Sequence, residues 1–233
     1  MSGGRVVVSG GAGALGRAVV AALLDRGARV AVPFRSAAAW EALRAEAGAG
    51  AALWGRAADV ADPAASAAFV DEAAEWMGGV DGVAALAGAY GGSSTFEAAP
   101  PREWEDMLRA NLATVYGLCR ASLPHLLKRG GSVVTVSSRL AEAGGAGAAA
   151  YAVSKAAVIA LTRVLALENR DRGVRFNCVT AAIIDTPGNR SAMPGADASR
   201  WTPPSAIASV VVFLLSPDSA AVTGAVVPVD GGA

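Results

Sequence analysis

Two side chains in an otherwise small and oily stretch have the types and spacing to move a proton. In GAGAAAYAVSKAAVIALTRVL, residues 145–165, Tyr151 and Lys155 stand four apart and would share one face of a helix. A free phenol titrates near pH ~10, and a nearby cation favours its ionised form. Bringing it to about pH 7 takes roughly 4 kcal/mol, at about 1.4 per unit. A phenol adjusted in this way is a general acid/base. The plainer alternative is a lysine stem lying along a tyrosine ring, with the amine in water. The pair alone leaves both readings open.

A second polar group lies close in sequence. Ser137 and Ser138 end the β-branched run GSVVTVSS, residues 131–138, thirteen residues before Tyr151. Ligands gather outside the carboxyl ends of strands in a parallel sheet. Near the start, VVVSGGAGALGRAVV carries G-x-G-x-x-G as Gly11, Gly13 and Gly16 between an expected strand and an expected helix. Glycines there allow a tight turn and close approach of backbone amides to a phosphate at the helix N-terminus. A P-loop is excluded, because Arg17-Ala18 stands where Lys-Ser/Thr would be needed. The second expected strand ends VPFRS, with Phe34 and Arg35 where NAD-selecting folds commonly carry an acid. A guanidinium suits a 2′-phosphate, so Arg35 favours NADP over NAD; otherwise it is a solvated loop residue.

These groups need a scaffold, and the chain supplies a regular one. Short β-branched runs at residues 5–10, 29–34, 52–60, 80–88, 131–138, 174–180 and 225–230 alternate with Ala/Leu-rich helical stretches. One long helix is expected through residues 102–130. Several strands are apolar throughout, as in parallel sheets buried on both faces. The expectation is a single α/β domain over residues 1–233: a doubly wound Rossmann-type sheet of about seven parallel strands with helices on both faces.

Composition removes other classes. Twenty basic and twenty acidic residues leave zero formal charge, with no basic stripe for nucleic acid. The longest apolar runs are interrupted by charge and too short to span a bilayer, so no membrane partner is expected. The N-terminus enters a strand without a signal-like segment. Cys119 and Cys178 are far apart, which fits a reduced, cytoplasmic protein. A single histidine, His125, supports neither a His-rich metal site nor the usual serine-hydrolase triad.

The ordered pieces SGGAGALG, Asp59-Val60, Asn111, VSS followed after thirteen residues by YAVSK, IIDTP and VTGAVVPVDGG resemble the classical short-chain dehydrogenase/reductases over nearly the whole chain. The resemblance implies Tyr151 as general acid/base, Ser138 as polariser of the substrate oxygen and Lys155 as partner of the cofactor ribose. Asn111 would help hold a water for a proton relay. It also implies a nicotinamide dinucleotide held by Ser9, Gly11, Gly13, Ala14, Leu15, Gly16 and Arg35. Asp59, Val60, Ala87, Gly88, Tyr151, Lys155, Ile184 and Thr186 complete that set. The family pattern is broken at three places: Ala14 for a glycine, ALAG (residues 85–88) for Asn-Asn-Ala-Gly, and Ala181-Ala182 for Pro-Gly.

The resemblance further implies a homo-tetramer or dimer formed by the long helix and the Tyr/Lys helix. The substrate would be a small carbonyl or alcohol compound under a short segment at residues 186–203. Tyr90, Met193 and Trp201 are candidate apolar walls. Arg190 either attracts an acidic substrate or is a solvated loop charge. Trp76 and Trp104 are read as packing residues, and His125 as a helix-end residue favourable to the dipole. A non-catalytic dinucleotide-binding redox sensor is the alternative function, and a dehydratase or epimerase on the same tetrad a third.

Overall fold

The computed structural model describes residues 3–92 and 94–230. Gly231 and Gly232, which end the last motif above, lie outside the described residues. Seven parallel strands form one sheet: β1 (Arg5–Ser9), β2 (Arg29–Phe34), β3 (Leu53–Ala57), β4 (Gly82–Ala85), β5 (Gly131–Ser138), β6 (Val174–Ala181) and β7 (Val226–Val229), in the order β3-β2-β1-β4-β5-β6-β7. The order reverses between β1 and β4, and a cleft opens there above the carboxyl ends, as a doubly wound sheet requires. The β1 and β4 register pairs Val7 with Val83 and Ser9 with Ala85.

Strand alternation feeds two apolar layers. On one face Val6, Val8, Val30 and Val32 meet α1 (Ala14–Leu24) and α9 (Pro204–Leu215) through Val19, Leu23, Ile207 and Val211. On the other, Val7, Val83, Val133 and Phe176 meet Phe69 of α3 (Pro63–Met77), Leu118 of α5 (Thr114–Leu126) and Val158 of α7 (Ala149–Asn169). All of these side chains are essentially out of solvent.

Local chemistry sets the helix starts. Ser36 caps α2 (Ala37–Ala47) by accepting from the Ala39 N–H, and Asp62 caps α3 by accepting from the Ala65 N–H at 2.8 Å, with Pro63 next. The start of α1 differs: Gly13 offers no side chain to its first-turn N–H groups.

The expected single long helix is instead α4 (Pro101–Met107), a π turn over Leu108–Ala113, and then α5. The third strand stops at Ala57, leaving Asp59 and Val60 in the loop beyond it. The expectation that no run could span a bilayer is also corrected. Ala149–Arg172 covers 24 residues and contains an 18-residue window of mean hydropathy 1.6, long and apolar enough by those two measures. In the fold this helix lies along the sheet, with Ser154, Lys155, Thr162 and Asn169 on its buried side.

Candidate active site

The cleft holds about 530 Å³ and is lined on one wall by Gly10, Gly13, Ala14, Leu15 and Gly16, on another by Arg35, Asp59 and Val60, and on a third by Ala87, Gly88 and Thr186. Gly10 has φ +68°, and an added Cβ would stand 2.9 Å from the Ala87 nitrogen. A Cβ on Gly16 would stand 2.0 Å from the Gly10 carbonyl oxygen. The loop is therefore closed onto itself and onto the end of β4, which frees the uncapped N–H groups of α1 to face the cleft. Gly10 was not among the sequence candidates, and its position directly after the first strand was the available sign. Ser9 is buried and accepts from the Ala87 N–H at 3.3 Å.

At the far end, Phe34 stacks on Trp40, with centroids 5.2 Å apart, and leaves Arg35 exposed beside Ser36. Asp59 accepts from the Ala61 N–H and from Arg109 at 2.5 Å. Arg109 was not a sequence candidate; fifty residues separate the pair, and no local pattern marks it. Thr186 accepts from the Asn189 N–H at 3.1 Å, capping the short helix α8 (Pro187–Ala192), while Ile184 is half-buried and bridges to Thr202.

The proton-handling groups converge at the carboxyl end of β5. Ser138 is buried there, and Tyr151 sits in the first turn of α7, partly buried. Burial raises the phenol's pKa, and the Ser138 hydroxyl beside it partly opposes this. The expectation that Lys155 would lower it is not met. Lys155 turns elsewhere: its Nζ donates to the Val136 carbonyl at 3.1 Å and faces Gly88, where a Cβ would come within 3.1 Å of it. Its ammonium therefore reaches Gly88, one of the residues that line the cleft.

Burial pushes the Lys155 pKa down to about 8. Between about pH 8 and 10.5 the unfolded chain holds this proton and the native one does not, so native stability rises with pH through that window. Below it, the buried ammonium costs on the order of 3 kcal/mol, at about 1.4 per unit. Lys155→Met should therefore raise the melting temperature at pH 7, narrow the gain by pH 10, and remove turnover. Calorimetric melts of both proteins across this range measure it.

Asn111 lies in the π turn and is fully buried. Its Oδ1 accepts from the Ala89 N–H at 2.9 Å, and its Nδ2 donates to the Ala89 carbonyl and to Ser154 Oγ, both at 3.0 Å. The side-chain amide thus clamps the segment after β4. Ser154, the third partner, was not a sequence candidate.

Tyr90 meets Tyr151 edge-on, with centroids 4.9 Å apart, and Met193 and Trp201 are half-buried nearby in sequence to the substrate segment. Arg190 forks onto Asp185 at 2.5 and 2.8 Å, so its charge is met within its own loop and the acidic-substrate role is withdrawn. Trp76 stacks on Trp54, as a packing residue should, but Trp104 is 41% exposed and does not fit that reading. His125 bonds Asp71 at 2.8 Å, a specific partner beyond the helix-end role.

A family model described as enoyl-(acyl carrier protein) reductase matches residues 10–233. D-threitol dehydrogenase of Mycolicibacterium smegmatis is 33% identical, over 100% of this chain and 93% of its own. The chain belongs to the short-chain dehydrogenase/reductase family. Two solved structures resemble it closely. The 3-ketoacyl-(acyl-carrier-protein) reductase of Brucella melitensis, complexed with NADH, is 26% identical with TM-score 0.90, over 99% of this chain and 98% of that one. An NADPH-bound short-chain oxidoreductase of Pseudomonas aeruginosa PAO1, described as containing an atypical catalytic center, is 29% identical with TM-score 0.89, over 100% and 98%.

Among the sequence departures of this short-chain dehydrogenase/reductase, Ala85 and Ala181 are buried, Leu86 and Ala182 half-buried and Ala14 exposed. Ala85 ends β4 with 1% exposure, and Leu86 packs against the α1/α9 layer where the family pattern has a polar side chain. Ala181 extends β6 by one pair, opposite Ser138, and accepts from the Arg139 N–H at 3.1 Å. That bond steadies the loop immediately after Ser138.

Proposed function

We propose that this short-chain dehydrogenase/reductase transfers hydride between an NADP(H) nicotinamide and a carbonyl or secondary alcohol carbon, with Tyr151 as the general acid/base. The observation that carries the reading is the meeting of Tyr151, Ser138 and the buried Lys155 at the carboxyl end of β5, beside the glycine-walled cleft. The nicotinamide supplies or receives the hydride. Ser138 orients the substrate oxygen toward the phenol, and Tyr151 gives or takes the proton at that oxygen. Lys155 reaches the cleft floor beside Gly88, positioned to bind a ribose hydroxyl. The uncapped start of α1 suits the pyrophosphate, and Asp59 and Val60 the adenine end. Ile184 and Thr186 lie where the carboxamide would be held.

Arg35 supports NADP over NAD, since it stands exposed at the ribose end of the cleft with no acid in its place. Arg35→Ala should weaken NADPH binding roughly 10- to 100-fold, as charge-assisted bonds to a phosphate are lost, and change NADH binding far less. Fluorescence titration of the reduced cofactors reads both. The function itself is tested by cofactor oxidation with ketones, aldehydes and quinones; binding of either cofactor with no turnover on the whole panel would favour the sensor alternative. We propose further that copies associate through exposed apolar residues of α7, Val153, Val164 and Leu167, which light scattering on a sizing column would test.

A further inference from the structure

Tyr90 is held more firmly than its place in a loop suggests. Its predecessor, Ala89, is bonded through both backbone groups to the Asn111 amide. Its successors run close to their neighbours: a Cβ on Gly91 would stand 2.9 Å from Met107 Cε, a side-chain tip that would have to move aside. One on Gly92, at φ +140°, would stand 2.5 Å from the Gly147 carbonyl oxygen. Between these anchors the ring meets Tyr151 at 65° with centroids 4.9 Å apart, while 65% of Tyr90 remains exposed. Such a ring is fixed against the phenol on one side and open on the other.

Resting on the reductase reading, we infer that Tyr90 is a specificity-determining residue and that the substrate is a carbonyl compound with a flat ring beside the reacting carbon, an aryl ketone or its alcohol. With the carbonyl oxygen at Ser138 and Tyr151, a flat substituent lies along the Tyr90 ring, gaining an aromatic contact that an aliphatic substituent does not.

The test compares an aryl methyl ketone and a small acyclic ketone on wild type, Tyr90→Ala and Tyr90→Phe. Steady-state kinetics are run beside calorimetric binding of the same ketones to protein saturated with NADP+. Tyr90→Ala should raise both KM and Kd for the aryl ketone about tenfold, change kcat far less, and affect the acyclic ketone least. Tyr90→Phe should follow wild type, because the ring and not the hydroxyl makes the contact. An equal fall in kcat for both ketones with a displaced pH profile would overturn the inference, since Tyr90 would then act on Tyr151. Unchanged or undetectable aryl-ketone binding would overturn it as well. Tyr90-dependent binding without turnover would count against the reductase reading and leave this inference standing; turnover indifferent to Tyr90 would do the reverse.

Discussion

Tyr151→Phe should bind reduced cofactor as wild type does and turn over ketones about 10²- to 10⁴-fold more slowly, the usual contribution of a positioned acid/base. The substitution removes one oxygen and leaves the ring, so the edge contact with Tyr90 and the packing of the first turn of α7 remain. The measurement is single-turnover loss of reduced-nicotinamide absorbance, with circular dichroism to confirm an intact fold. Because burial holds the phenol in its protonated form above its ordinary range, wild-type carbonyl reduction should persist through neutral pH. Alcohol oxidation, which needs the phenolate, should climb with pH. A variant that keeps wild-type turnover would remove Tyr151 from the chemistry altogether.

Gly16→Ala should abolish cofactor binding, a loss of more than about 100-fold, or about 2.8 kcal/mol at 1.4 per tenfold. The new Cβ would stand 2.0 Å from the Gly10 carbonyl oxygen and 2.6 Å from the Gly11 Cα, both backbone atoms that a rotamer change cannot move aside. Helix α1 must then withdraw from the loop, carrying its free N–H groups away from the phosphate position. Gly13→Ala is the control: its Cβ meets only the Gly10 carbonyl oxygen, at 3.2 Å, and binding should fall by less than about tenfold. Fluorescence titration with NADPH and NADH compares the two. Equal binding by Gly16→Ala and wild type would place the phosphates elsewhere.

The parts of this molecule legible in its sequence are those where one local pattern has one physical reading. GSVVTVSS is β-branched from end to end and became β5 with the same bounds, 131–138. The glycine turn between β1 and α1 was equally direct. What stayed hidden depends on register or on distant pairing. LRANLA contains ordinary helix formers, and nothing in it announces the one-residue widening that makes a π turn; Asn111 in an apolar stretch was the only clue. The sequence could not show which way Lys155 would point, because an alanine-rich helix presents several plausible inner faces. Arg109 with Asp59, Asn111 with Ala89 and Tyr90 with Tyr151 are each joined only once the sheet is assembled.

The Asn111 clamp bears on time as well as on position. Ala89 belongs to no strand or helix, and a backbone amide in such a segment ordinarily exchanges its hydrogen with solvent quickly. Here that hydrogen is held by an amide side chain rooted in the π turn and tied through Ser154 to α7. It can be released only when those helices part, so the loop carrying Tyr90 inherits the opening rate of the helical layer beneath it.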